Sequence, residues 1–503
     1  MTSNTERVRL IFGLKIKQLR QERGYQLYEL ADRAGLSPSY LNEIEKGKKY
    51  PKQEKIFALA SALGTDYDTL VSMRLNKKLE PIAELLNSNI LQELPLDLFG
   101  IDAADLLELL SAAPARVSAF ISTIIEISRS HGMNVEQFYF SALRSYQEMH
   151  DNYFADIEEE ADAFLKTHPL HPLTDDRLKN LLETEFSYRI EEFDETERPD
   201  LAGLRSVVLP GSSPTLLINR AMETVQRAFT FGREIGYVVM GIRNRSLISS
   251  VIEAESFEQV LNNFRASYFA GAILIPKPEL VRRLNEFFAR SVWDDHALPQ
   301  MLQAFQVTPE VLFHRISNVL PGHFGINELF FLRFDHAVRP EQPDRFHLSK
   351  ELHLAKLHNP HATLREHNCR RWVSLTVLQE LAEQQQSGRW DGQPLSRAQL
   401  SEYVDTGNRF LVLTLAKPSP PRPGQNSSVT LGLAVDDRLR ALVRFLNDPA
   451  LRHRLVNDTC ERCPLTDCLE RAAPPLVLER HRRNERIKET IQTLSQTATE
   501  RVR

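Results

Sequence analysis

The chain has 503 residues, 42% apolar and 26% charged, an ordinary globular composition with room for several domains that each have their own core. Four cysteines in that length are too few for a disulfide scaffold, and a formal net charge of −5 excludes a chain that coats nucleic acid along its whole length. The opening MTSNTERVRL carries no apolar signal region and no long apolar run follows it, so the expected setting is cytoplasmic and reducing, without membrane contact. The charge is unevenly placed: residues 1–72 hold 12 Lys and Arg against 9 Asp and Glu, net +3, which leaves −8 for the rest. A basic head on an acidic body is the first pointer to function.

Within that head, residues 8–66 predict five short helices. Phe12, Ile16 and Leu19 recur at helical spacing and stop at Gly24; Leu27, Leu30, Ala31 and Ala34 recur again and stop at Gly35. Ser37-Pro38 then opens a third helix, with a hydroxyl to cap its free N–H groups and a proline at the first position, where no N–H is needed. The helix is expected from Ser39 to Lys46 and ends at Gly47. Two compact helices joined by a glycine turn, followed by Lys46, Lys48, Lys49 and Lys52, have the layout of a helix-turn-helix with phosphate-binding cations behind the reading helix. A helical cap with a solvated lysine face is the plainer alternative.

The string LSPSYLNEIEKGKKYP, followed by ALASALG, resembles the Xre/Cro-type repressor domain. The resemblance implies that Ser37, Ser39, Tyr40 and Glu43 face base edges in the major groove with Asn42 nearby, and that Arg20 and Glu45 form an internal ion pair. Leu27 departs from it, standing where the family usually has a phosphate-contacting glutamine. Such modules act as dimers on half-sites about 34 Å apart, so the expected partner is double-stranded operator DNA and the expected assembly a homodimer or higher homo-oligomer.

From Leu79 to about Lys166 the chain is expected to be helical, with apolar clusters at residues 106–110 and 120–125. Tyr146, Tyr153 and Phe154 precede an acidic run, Glu158 to Glu160, which reads either as part of a dimerisation and relay segment or as a core helix with a solvated acidic face. His168, Pro169 and Pro172 mark a break. Beyond it, β-prone runs at Ser206 to Leu209 and Thr215 to Asn219 lead into two long helical stretches. The layout INR…FTFGREIGY…FAGAILIP resembles the IrrE-type metallopeptidase domain, whose HExxH helix supplies two histidines to zinc and a glutamate to its water. Matched residue by residue, those positions are Arg233, Glu234, Ile235, Gly236 and Tyr237, so both histidines are gone. The third ligand, normally acidic, falls at Asn263 or near Arg265. Peptidase activity is therefore not expected. Arg233 places a fixed cation in the former metal cleft, read either as a core ion pair with Glu234 or as part of a cleft turned to effector binding, with Tyr237 fitting both.

The C-terminal segment carries strand-like runs, Arg409 to Ala416 and Ser428 to Val435, around an expected exposed loop, PSPPRPG. It ends in NDTCERCPLTDCLERAAPP. The Cys460-x2-Cys463-x4-Cys468 spacing puts three sulfurs on adjacent turns, and Cys369, in REHNCRRW, can complete a four-thiol set. Structural zinc fits this spacing as well as an iron–sulfur cluster, and reduced thiols in a turn are the plainer reading. His347, His353, His358, His361 and His367 crowd the approach to Cys369, and one of them could replace it as a ligand.

Over essentially its whole length the order of segments resembles the bacterial regulators of propionate and acetate catabolism that respond to short-chain acyl-CoA. That resemblance implies that Cys369, Cys460, Cys463 and Cys468 hold an iron–sulfur cluster of 4Fe–4S type, with zinc the alternative, and that an acyl-CoA is the effector. Arg370 and Arg371 beside Cys369, with Arg233 and Tyr237, are the candidate effector residues. The expected architecture is multidomain: a mainly α N-terminal half of helix-turn-helix (1–75) and helical linker (76–170), an α+β zincin-like domain (171–335), an α/β sensor-like domain (336–480) and a basic helical tail (481–503). The function read from it is a one-component, effector-gated DNA-binding regulator. A redox- or iron-sensing regulator is the alternative, and a regulatory metallopeptidase ranks behind both.

Overall fold

The computed structural model describes residues 4–72, 135–169, 172–248, 256–337, 345–355, 366–422 and 424–501. The chain forms two compact units, Met1–Tyr146 with Glu253–Leu261, and Gln147–Ile252 with Asn262–Arg503. A helical N-terminal part gives way to mixed-sheet α+β structure.

Five helices build the head of the first unit: α1 (Asn4–Glu22), α2 (Leu27–Arg33), α3 (Pro38–Glu45), α4 (Gln53–Leu63) and α5 (Tyr67–Val71). Their apolar stripes meet in one core, with Phe12, Ile16, Leu30, Leu41, Ile44, Leu59 and Leu63 at its centre. Gly13 lets α1 lie directly on the end of α3, because a Cβ there would stand 2.3 Å from the Ile44 carbonyl oxygen. The turn between α2 and α3 reverses at Gly35, whose φ of +62° a side chain would resist. Residues 73–134, most of the expected linker and both of its apolar clusters, lie outside the described residues. Helix α6 (Val135–Met149) follows.

In the second unit α7 (Ala155–Thr167) and α8 (Asp175–Thr184) precede a three-stranded sheet of β1 (Arg189–Phe193), β2 (Ser206–Leu209) and β3 (Thr215–Asn219). Its order is β1-β3-β2, with β1 parallel and β2 antiparallel to β3. The two β-prone runs of the sequence are β2 and β3. Helices α9 (Thr224–Val239), α10 (Phe257–Leu274), α11 (Lys277–Phe288), α12 (Ala297–Phe305) and α13 (Pro309–Val319) follow. Helix α9 is buried without interruption from Thr230 to Tyr237, as a helix enclosed on all sides must be. A Cβ at Gly236 would reach 3.0 Å from the Phe269 ring, so this glycine sets how closely α9 and α10 approach.

The acidic run on α7 is divided by packing. Glu159 and Glu160 face solvent, whereas Glu158 is 2% exposed and forms a two-pronged ion pair with Arg315 of α13, itself 1% exposed. A uniformly solvated acidic face is thus corrected at its first member. The Tyr268 hydroxyl donates to Glu158 at 2.8 Å, Lys277 stands 3.6 Å away, and the Arg315 Nε donates to the Ile275 carbonyl at 3.1 Å.

A second sheet of six strands completes this unit: β4 (Leu329–Ala337), β5 (Phe346–His353), β6 (Leu395–Tyr403), β7 (Arg409–Pro418), β8 (Gln425–Ala434) and β9 (Arg452–Val456), in the order β5-β4-β8-β7-β6-β9. Only β6 and β9 are parallel. The expected α/β arrangement is corrected to α+β: β6, β7 and β8 are joined by connections too short for the crossover that parallel neighbours require. Residue 336 falls within β4. Helix α14 (Val373–Gln386) covers one sheet face, burying Leu375, Leu378 and Leu381 against Phe330, Phe334, Phe410 and Val412. Helix α15 (Asp437–Leu442) is short, and α16 (Leu476–Arg501) is a long, largely exposed terminal helix. The PSPPRPG loop between β7 and β8 is more than an exposed connection, since Ser419 is buried and Gln226 of α9 donates to the Pro420 carbonyl at 3.0 Å. Among the described residues no helix is long and apolar enough to cross a membrane.

Removing one member of the Glu158–Arg315 pair leaves a buried charge without its counterion. Glu158→Ala is expected to destabilise this unit by about 3–5 kcal/mol, and the double substitution Glu158→Met with Arg315→Met to recover most of that loss. Urea unfolding of both variants checks this, with coupling read from the double-mutant cycle.

Candidate functional site

On the helix-turn-helix, Ser37 is the N-cap of α3, its hydroxyl accepting the Tyr40 N–H at 3.2 Å. Ser39 is exposed, while Tyr40, Asn42, Glu43 and Lys46 are half-buried. The Tyr40 ring lies beneath two cations, Lys55 at 4.6 Å and Lys49 at 5.7 Å from its centroid, and Lys49 pairs with Glu43 at 2.8 Å. Lys48, Lys49, Lys52 and Lys55 are all exposed, and Lys49 and Lys55 give that ring a cationic face. The internal pair implied by the resemblance is present: Arg20 grips Glu45 at 2.7 and 2.9 Å and also donates to the Tyr25 carbonyl at 2.9 Å. Leu27 packs toward the core, and the neighbouring Gln26 and Glu29 exchange capping hydrogen bonds at the start of α2. Lys55 escaped the sequence reading because its contact with Tyr40 bridges α3 and α4, which no local spacing displays.

In the peptidase-like part the metal-ligand positions hold a salt bridge and a hydrogen bond. Glu234 is fully buried and gripped by Arg245 through two hydrogen bonds, at 2.5 and 2.8 Å. The Arg245 guanidinium also lies 3.9 Å from the centroid of the Tyr237 ring, so one cation serves both the glutamate and the residue at the second histidine position. Burial alone would lower the Arg245 pKa, and Glu234 more than reverses this. Tyr237 donates to Asn263 at 3.3 Å, joining the position matched to the second histidine to one of the two candidates for the third ligand. Burial, reinforced by Glu234, pushes the Tyr188 hydroxyl up to about 12, and it sits 3.5 Å from Glu234. The main partner of Glu234 is thus Arg245, where the sequence pointed to Arg233, which lies 3.8 Å away. Nothing in the spacing of Arg245 from α9 announces this role.

Arg233 belongs to a second group of charges. Arg205, just before β2, experiences the fields of Arg233, Arg333, Glu310 and Asp335. Arg333 of β4 donates to Glu310 at 2.8 Å, to Asp335 at 3.1 Å and to Ser419 at 3.1 Å, and Lys350 pairs with the other Glu310 oxygen. Burial alone would raise the Glu310 pKa, and Lys350, Arg333, Arg205 and His314 together hold it well below its usual value. His314 stacks on Phe331 at 4.0 Å between ring centroids; burial, with Lys350 and Arg333, lowers its pKa to about 4.

The cysteines gather at one corner of the six-stranded sheet. An antiparallel bridge between Asn368 and Thr459 lays the two strings side by side, with the Cys369 N–H on the Asp458 carbonyl at 3.1 Å and the Cys460 N–H on the His367 carbonyl at 2.9 Å. Cys369, Cys460 and Cys463 are buried, Cys468 is partly so, and all four are free thiols. Burial pushes the Cys369 thiol up to about 11. The Ala472 N–H points at the Cys460 sulfur at 3.3 Å. Arg471 holds the loop by donating to the carbonyls of Cys460 at 2.7 Å, Cys463 at 3.1 Å and Leu465. Among the described residues no three His, Cys, Asp or Glu side chains converge as they would around a single ion. His367 is held by Glu461 at 2.8 Å, His347 and His353 lie on β5, and His358 and His361 fall outside the described residues. Arg370 stacks over Phe346 at 4.6 Å and Arg371 pairs with Glu470 at 3.6 Å.

The depressed His314 gives a pH test. Its folded pKa near 4 lies below the ordinary 6.5, so its contribution is complete above pH 6.5 and is lost as pH falls toward 4. His314→Phe, which keeps the stack on Phe331, is expected to flatten the stability loss across that window by about 1–3 kcal/mol, read from thermal melts at each pH.

Comparison with known proteins adds the lineage. Residues 16–70 match the helix-turn-helix family, and residues 190–317 match the IrrE N-terminal-like domain. The chain is 21% identical to a propionyl-CoA carboxylase regulator of Cereibacter sphaeroides, over 93% of this chain and 95% of that one. It is 23% identical to the HTH-type transcriptional regulator RamB of Mycobacterium tuberculosis, over 70% of this chain and 74% of that one. It is 34% identical to the HTH-type transcriptional regulator y4dJ of Sinorhizobium fredii, over 13% of this chain and 84% of that one. With its capped reading helix, its cationic face and a peptidase-like fold that carries arginine and tyrosine in place of histidines, the chain belongs to the Xre-type helix-turn-helix transcriptional regulators that bear an IrrE-like domain.

Proposed function

We propose that this regulator is gated by a short-chain acyl-CoA and acts on operator DNA as a homodimer or higher homo-oligomer in the cytoplasm. The observation that carries the effector assignment is the end-to-end likeness to the propionyl-CoA carboxylase regulator, which extends beyond the DNA-binding head. In this reading Ser39, Tyr40, Asn42 and Glu43 meet base edges, Ser37 sets the start of the reading helix, and Lys46, Lys48 and Lys49 meet phosphates. An effector shifts operator affinity only by binding the two states of the protein unequally. Arg233, Tyr237, Arg370 and Arg371 are the proposed effector contacts. The first two stand on α9 at the positions matched to the two histidines, and the last two sit beside the cysteine corner.

What supports a metal group at the same corner is its donor types, four free thiols with one of them met by a backbone N–H, although no three of them converge on one point in this structure. Cys369, Cys460, Cys463 and Cys468 would hold a 4Fe–4S cluster, or zinc as the alternative. Bound there, the cluster would supply a redox-sensitive crosslink between the string before α14 and the terminal loop. This corner also favours a second reading, a redox or iron sensor in which the group is itself the signal.

Purification without oxygen, followed by operator titrations with and without propionyl-CoA, acetyl-CoA and free CoA, separates the readings. A change in operator affinity of at least tenfold with an acyl-CoA, absent with free CoA, is expected. Equal affinity in all titrations, with loss of binding on air exposure, would replace the first reading by the second. Ser39→Ala and Tyr40→Ala are each expected to weaken operator binding by about 1–3 kcal/mol, roughly 5- to 150-fold, in the same titration. Cys463→Ser is expected to lower iron or zinc content as measured by native mass spectrometry.

A further inference from the structure

We propose that the basic first half of α16 binds the phosphate backbone of duplex DNA, as a contact separate from the helix-turn-helix. Residues 480–488 read RHRRNERIK, five arginine and lysine residues against one glutamate, in a body that is net acidic. Every residue from Glu479 to Ser495 is exposed, so among the described residues nothing covers any face of this stretch. Most helices draw their stability from packing one face, and here none is packed. The root is held. The Val477 and Leu478 N–H groups both donate to the Glu461 carbonyl at 3.1 Å, within the cysteine loop. Glu461 in turn accepts from the His367 main chain at 3.0 Å and meets its ring at 2.8 Å. The helix is therefore anchored at one end and presented along the rest.

What the stretch presents is charge without counterions. His481 takes Glu485 at 3.2 Å. Among the described residues Arg480, Arg482, Arg483, Arg486 and Lys488 pair with no carboxylate, whereas other surface arginines do: Arg282 with Glu279 and Glu286, Arg409 with Glu402, Arg462 with Glu366. At 3.6 residues per turn the four arginines fall within an arc of about 160°, so they address one partner together, and of the nearby acids only Glu479 shares that arc. A polyanion meets such an array best, because each phosphate that a cation neutralises releases a condensed counterion, and guanidinium forks match phosphate oxygens. Duplex DNA is the polyanion that the head already requires, and the proposal rests on that assignment. An anionic membrane fits less well. Ile487, Ile491 and Leu494 are the apolar residues of the exposed stretch, no aromatic stands among them, and all three lie beyond the last arginine of the cluster. A second copy paired in parallel would set one arginine cluster against the other.

The test is titration of the full chain with an operator duplex and with an unrelated duplex of the same length, across a series of salt concentrations. Each phosphate contact adds about 0.9 to the slope of log affinity against log salt. The combined substitutions Arg482→Gln, Arg483→Gln and Arg486→Gln are expected to lower that slope by about 2–3 on both duplexes. Both affinities are expected to fall by about tenfold or more, with their ratio unchanged. Arg482→Lys, Arg483→Lys and Arg486→Lys keep the charge and are expected to retain the slope, which separates loss of charge from damage to the fold. Ser39→Ala weakens the operator alone, so failure of the reading helix is distinguishable from failure here, and a wild-type chain that binds neither duplex overturns both. A glutamine variant that keeps the wild-type slope overturns the proposal. So does a glutamine variant that loses binding to phosphatidylserine vesicles with no change in slope, which assigns a membrane contact. A slope that falls together with the sedimenting mass assigns α16 to a second copy and overturns it as well.

Discussion

The second unit is organised around one buried ion pair, Glu158 with Arg315. Taking both charges out of water is costly, and the structure offsets that cost by giving each charge further polar contacts: Tyr268 and Lys277 for the carboxylate, the Ile275 carbonyl for the guanidinium. These contacts come from α7, α10, α11, the turn after α10 and α13, so a single pair fixes five pieces of chain in register. Helix α13 is the element through which this constraint reaches the candidate site. Arg315 anchors it in the interior, and Glu310 and His314, within a turn and a half of that anchor, project to the charged group around Arg333.

The IrrE-like part shows how residues at the positions matched to a metallopeptidase helix hold one another. Glu234 remains where a zinc peptidase keeps its general base, and a buried carboxylate needs a counterion whether or not catalysis takes place. Arg245 meets that need with a two-pronged contact, and its flat face rests on Tyr237. The hydrogen bond between Tyr237 and Asn263 then ties α9 to α10. The close approach at Gly236 is independent of all these exchanges, which explains how the helix pair keeps its geometry while its chemistry changes.

Local features of the head were legible in the sequence because local rules govern them. The Ser37-Pro38 cap, the stops at Gly24 and Gly35 and the strands β2 and β3 all follow from spacing and turn chemistry, and they stand where the sequence placed them. The meeting of Cys369 with the Cys460 loop was foreseen from scarcity, four cysteines being a natural set for one place. Long-range pairings were hidden. Glu158 sits within an acidic run that periodicity assigns to solvent, and only tertiary packing reveals that α13 offers it a buried arginine. Arg245 lies in the connection after α9, where an arginine is unremarkable by any local measure. The antiparallel order of the large sheet was missed because only two of its strand-like runs were read, although the connections between β6, β7 and β8 are short enough to require hairpins.

The hold of Arg471 on the cysteine loop has a consequence for what the loop can endure. One guanidinium, reaching the carbonyls of Cys460, Cys463, Leu465 and Ala473, gives the turn its shape largely through the backbone. Shape is thereby set mainly by main-chain contacts, so a change at the thiols would leave most of the contacts that present them in place. A loop shaped by its own thiols would have to refold each time its contents changed. This one is shaped chiefly by an arginine on its carbonyls.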